Sequence, residues 1–89
     1  MPPLTIAVLM DLPPHHAYHQ ATLAALAHAA AVVRATRTIV VPTDTIGRRT
    51  ADALGDAVVV GPGSPYRDPE AALNVIGSAR ERGIPLVGT

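Results

Sequence analysis

The chain has no cysteine, no phenylalanine, no tryptophan and no lysine, and only two tyrosines in 89 residues. Without cysteine there can be no disulfide, no Cys-type zinc site and no thiol nucleophile among these residues. Without large aromatics, Ala, Val, Leu and Ile must fill any core, so each buried side chain removes little apolar area from water. Basic residues are scarce and scattered: seven arginines, Arg34, Arg37, Arg48, Arg49, Arg67, Arg80 and Arg82, balance seven acidic residues. A nucleic-acid surface needs a basic stripe, often with stacking aromatics, so no nucleic-acid partner is expected. Long apolar runs are missing too. Thr5–Met10 is far too short to span a bilayer and no basic segment precedes it, which excludes a membrane partner and leaves a soluble cytoplasmic protein as the expectation.

What is present fits one small domain over residues 1–89. A chain of this length buries roughly 60–65% of the surface its unfolded form exposes, so its stability is marginal. Leu4–Met10 is a short apolar run rich in β-formers, the pattern of a strand buried on both faces of a parallel sheet. Asp11 follows at its tip, and Pro13–Pro14 set up a helix start. The segment from His16 to Ala30 reads as helix, with Leu23, Leu26, Ala27 and Ala30 forming one apolar face. Ala31 to Val41 is β-prone, most densely at Thr38–Val41, and Pro42 ends it. Thr43–Gly47 is loop, Arg48–Leu54 a short helix, and Gly55 its C-cap.

Ala57–Val60 is the third buried strand. Gly61 to Tyr66 must be loop, since its two glycines and two prolines forbid any regular ladder. Asp68-Pro69-Glu70 is the clearest helix start in the chain: a capping Asp, Pro at the first helical position, an acid in the first turn. Ala71, Ala72, Val75, Ile76 and Ala79 form the expected buried stripe, Arg80 and Arg82 suit the C-terminal end, and Gly83 stops the helix. Pro85 opens a last strand. The order predicts an α/β fold: a small, doubly wound, flavodoxin- or Rossmann-like parallel sheet of about four strands with flanking helices.

Several residues could carry chemistry. Gly61-Pro62-Gly63-Ser64 directly follows a buried strand, where backbone N–H groups can turn towards the sheet edge and hold an anion or oxyanion; a tight turn that needs glycine is the competing reading. It is not a dinucleotide fingerprint, because Tyr66 stands where the third glycine belongs and the loop follows the third strand. His15, His16 and His19 cluster at the first helix start, but a metal site needs further ligands, and exposed or capping histidines fit better. His28 reads as a surface residue. Asp11, at the first strand's tip, either faces a crevice or caps the first helix or bonds nearby loop N–H groups; Thr43 and Asp44 are equally open. Neither a metal nor a cofactor is expected.

Three segments together suggest more: Pro62-Gly63-Ser64-Pro65-Tyr66, Ala79-Arg80-Glu81-Arg82 and Ile84-Pro85-Leu86-Val87-Gly88-Thr89. They resemble class I glutamine amidotransferases, in particular the group related to the C-terminal glutaminase domain of CTP synthase. His19-Gln20-Ala21 and Val41-Pro42-Thr43-Asp44 add weaker matches. The likeness spans the chain but only the front part of that family's domain. It implies that the backbone N–H groups of Gly63 and Ser64 form part of an oxyanion hole for glutamine amide hydrolysis. In the family the nucleophile is the next residue after the Gly-Thr that here is Gly88-Thr89. Some members carry selenocysteine there, and its codon is commonly read as a stop, so a UGA triplet is expected after codon 89. The resemblance therefore implies an amidotransferase-like piece that is inactive alone, since the nucleophile and the downstream His–Glu pair are missing.

A different reading is a small self-associating α/β module that binds an anion at Gly61–Ser64. A third is a structural subunit whose partner supplies the catalytic half. Uncovered apolar faces and strand edges predict a homodimer or larger assembly, with a small amide or anion as possible ligand.

Overall fold

β-Branched runs become strands and alanine-rich runs become helices along this chain. The computed structural model describes residues 4–13, 15–33, 36–61 and 66–88. Strand β1 covers Leu4–Leu9, helix α1 Ala17–Val33, strand β2 Thr36–Val41, a 3-10 turn Thr43–Thr45, helix α2 Ala51–Leu54, strand β3 Ala57–Val60, helix α3 Pro69–Arg82 and strand β4 Leu86–Gly88. All four strands are parallel, in the order β2-β1-β3-β4. The chain is therefore the expected α/β type, a flavodoxin- or Rossmann-like sheet with flanking helices. Winding reverses between β1 and β3: β1 connects outward to β2, and β3 outward the other way to β4. Right-handed crossovers then put α1 on one face and α3 on the other.

The two-residue pleat sorts the strands into two faces. On one face Ala7, Leu9, Val41, Val58 and Val60 meet Ala71, Val75 and Ala79 of α3, Ala51 and Leu54 of α2, and Ile46. Alanines along α3 let the helix lie close to the sheet. Fully burying each Leu, Ile or Val contributes about 1.5–3 kcal/mol. The other face holds Val8 and Met10, both fully buried beneath the α1 side. There Ile6, Val40 and Val59 are half-buried, and Val87 is exposed.

Some boundaries differ from the sequence reading. α1 runs on to Val33, through Ala29-Ala30-Ala31, because alanine favours helix more than the two following valines disfavour it. The strand therefore begins at Thr36 rather than near Ala31. The short second helix is confined to Ala51–Leu54. Gly55 does cap it, but in extended conformation; glycine is needed there because a Cβ would lie 2.9 Å from the Thr5 carbonyl oxygen. On α3, Ile76 is exposed rather than part of the buried stripe. It stands about 100° around the helix from Val75, and Ser78 takes the place on the buried face. The Ser78 hydroxyl donates to the Val75 carbonyl (2.9 Å) and accepts from the Ala51 N–H (2.9 Å), which fastens α2 to α3.

Candidate functional site at the C-terminal edge of the sheet

In an open parallel sheet, groups converge beyond the strand C-termini where the winding reverses. Here that place is flanked by the tips of β1 and β3. Asp11 follows β1, Thr43 follows β2 and Gly61 follows β3. Hydrogen bonds join the first two tips to each other and to the approach of α3, and hold the third against β1 separately.

Asp11 is the centre of the first group of bonds. One carboxylate oxygen accepts the Thr43 N–H at 2.8 Å; the other accepts the Thr43 hydroxyl at 2.6 Å and the Arg67 N–H at 2.8 Å. The buried Thr43 hydroxyl accepts in turn from the Asp68 N–H at 2.9 Å. Asp68 caps α3 through the Ala71 N–H at 3.0 Å. A single carboxylate thus ties the β1 tip to the β2 turn and to the approach of α3. Partial burial raises the Asp11 pKa. The bonds from Thr43 and Arg67, with the Arg67 charge, outweigh that and hold it below the ordinary value of 3.8. Of the readings open for Asp11, the structure favours bonding to loop N–H groups.

Two further bonds fix the start of the β3–α3 connection. The Gly61 N–H donates to the Leu9 carbonyl at 2.9 Å, and the Tyr66 hydroxyl donates to the Gly61 carbonyl at 2.6 Å. Burial, followed by the nearby Asp11 charge, raises the Tyr66 pKa above 10.0. Gly61 packs against β1 closely enough that a Cβ would meet the Leu9 carbonyl oxygen at 3.2 Å. Gly63 and Ser64, the expected oxyanion donors, lie outside the described residues, as do Pro62, Pro65 and Thr89.

The histidines separate into different tasks. The His16 ring accepts the Tyr18 N–H at 3.1 Å through Nδ1 and so caps α1. The buried His19 places Nδ1 2.9 Å from the Leu12 carbonyl oxygen. A carbonyl only accepts, so Nδ1 carries the proton and braces the β1–α1 turn. His15 and His28 are exposed. Among the described residues no group of three or more His, Cys, Asp or Glu side chains could hold a metal ion.

An open groove of about 380 Å³ lies at the opposite, N-terminal edge, lined by Thr5, Arg37, Ile39 and residues 52–56. Its polar groups are engaged with one another: Asp56 accepts the Thr5 N–H at 2.8 Å, and Arg37 donates to the Thr5 hydroxyl at 3.4 Å. It also lies on the wrong side of the sheet for groups carried on the strand tips.

Sequence reasoning singled out Asp11 and Thr43 but not their pairing with each other. It missed Tyr66 and Ser78 as bonding groups. The signal for the pairing was positional: in a parallel sheet, residues just past adjacent strands arrive at one edge. Comparison with family models, with curated proteins and with solved structures found no match to the chain. No helix among the described residues is long and apolar enough to cross a membrane.

Proposed function

We propose that this chain is the scaffold and oxyanion-loop portion of a glutamine amidotransferase-like domain acting in the cytoplasm. In this reading the Gly63 and Ser64 N–H groups stabilise charge on a tetrahedral intermediate of amide hydrolysis. One observation carries the reading: β3 pairs in parallel with β4, with Val60 opposite Gly88, so the segments after both strands leave the sheet at the same edge. That is the arrangement by which a donor loop after β3 serves a nucleophile carried just beyond β4. The bonds holding Gly61, Tyr66, Arg67 and Asp68 support the reading further, since oxyanion donors act best when they need no reorganisation.

The anion-binding module is less well supported. It draws on the same loop donors, but the parallel β3–β4 pairing gives it no added support, since an anion site after β3 needs nothing from the end of β4.

Acyl transfer needs an activated nucleophile, and none of these residues is a cysteine. The 89-residue polypeptide is therefore expected to release no ammonia from glutamine, while glutamine shifts the Gly63 and Ser64 amide resonances saturably. Ammonia release would overturn the reading. Saturable shifts with inorganic phosphate and none with glutamine would replace it with the anion-binding module.

A further inference from the structure

Gly77 sits in the middle of α3, exposed, in helical conformation. A glycine there destabilises a helix relative to alanine. Its own fold does not ask for one, because a Cβ at this position would meet nothing within 4 Å. The reason for the glycine is therefore to be sought outside the chain's own packing.

The outward ridge of α3 supplies it. Residues 70, 73, 77 and 80 recur at helical spacing on the side opposite the buried Ala71, Val75 and Ala79. They are Glu70, Leu73, Gly77 and Arg80. Leu73 is 66% exposed and Ile76, on the flank of the ridge, 37%. The two ion pairs among the described residues are Arg67–Asp44 and Arg82–Asp52, so neither Glu70 nor Arg80 is engaged in one. The ridge is symmetric about the level of Val75: Glu70 and Arg80 stand five residues to either side, Leu73 and Gly77 two. Laid antiparallel against itself, it matches every group with its complement. Glu70 meets Arg80 of the second copy, Leu73 meets the Gly77 notch, and the two-fold axis repeats both contacts.

We propose that the outward face of α3 is an isologous docking surface for a second copy of this chain. Leu73 fills the space left at Gly77, and the Glu70–Arg80 pairs set the antiparallel register. A single helix-on-helix contact buries less than about 1,000 Å², so the complex is weak and exchanges rapidly.

The test uses the full chain and charge reversal. Wild type is expected to show a concentration-dependent monomer–dimer equilibrium in sedimentation, weakened by salt. Glu70→Arg places like charges opposite each other twice, as does Arg80→Glu, and each variant alone is expected to lose at least tenfold in association. Mixed in equal amounts they restore complementarity and should form a heterodimer, which also shows that both variants are folded. Gly77→Gln is expected to abolish the dimer while keeping or raising the melting temperature of the dilute monomer. A wild-type chain that stays monomeric at sub-millimolar concentration would overturn the proposal. So would a dimer that survives the reversals, or a mixture of the two variants that fails to associate.

Discussion

The two faces of the sheet are covered in different ways. α3 is specified at every level: Asp68 caps it, Pro69 opens it, Glu70 and Arg80/Arg82 match its dipole, and Gly83, at φ 68°, closes it. Its small residues pack on Leu9, Val58 and Val60. α1 is longer, at 17 residues, yet carries no acid in its first turn and no base in its last. Leu23 and Leu26 are only half-buried, and Ala27 is exposed. An apolar, alanine-rich sequence is thus sufficient to make a helix but not to define which side of it faces the sheet. Pattern, rather than hydrophobicity, decides how firmly an element is seated.

Truncating a side chain on each face tests this most directly. Leu9, with 0% exposure beneath α3, should cost about 2–5 kcal/mol when changed to alanine. Leu26→Ala on α1 should cost about 1 kcal/mol or less, since its side chain is only partly withdrawn from water. Urea unfolding of the two variants measures the difference. Equal costs would mean that both faces are equally well packed in solution.

The next effect separates the sheet edge from the faces. Asp11→Asn keeps the shape but removes the charge on which three donors converge, and should cost about 2 kcal/mol. The pH dependence has a definite sign. The folded-state pKa of Asp11 lies below its unfolded value of 3.8, so its contribution is present in full above the ordinary carboxylate range. It fades as pH falls from there through the lowered folded value. Wild type should therefore lose stability over that acid window more steeply than Asp11→Asn. Tyr66 acts in the opposite direction: its raised pKa means a contribution lost as pH climbs above 10.0. Parallel acid curves for wild type and Asp11→Asn would show that the Asp11 bonds do not persist in solution.

The same contrast explains what could be read from the sequence. The strands, the parallel order and the α3 cap were legible because each depends on local signals: β-branched runs, Pro and Gly punctuation, and Asp68-Pro69-Glu70. The α1 end was not, since Ala31 to Val33 fit either state and only the start of β2 decides between them. Ile76 was misread because the six apolar residues of α3 (Ala71, Ala72, Leu73, Val75, Ile76 and Ala79) are spread over more than one face, and an apolar-only stripe passes over Ser78, which the helical period from Ala71 and Val75 puts inside. The Asp11–Thr43–Arg67 convergence depends on residues far apart in the chain. Position at the strand tips singled out Asp11 and Thr43, but neither Arg67 nor the partner each would choose.

The smallest effect compares the two helix starts. Asp68 satisfies the Ala71 N–H with a charged oxygen at a site that the helix dipole favours, so Asp68→Ala should cost about 1 kcal/mol. His16 does the equivalent for Tyr18 with a ring nitrogen, which accepts only while unprotonated. No acid reinforces the first turn of α1, and the ring is partly open to water. His16→Ala should therefore cost a few tenths of a kcal/mol, near the low end for a lost cap. Amide hydrogen exchange distinguishes the two. Asp68→Ala should speed exchange at Ala71 and neighbouring α3 amides by several-fold, whereas His16→Ala should barely alter Tyr18. Should both substitutions act equally, α1 would be as firmly anchored as α3 despite its weaker pattern. The difference between the faces would then lie in packing alone, not in the helix ends.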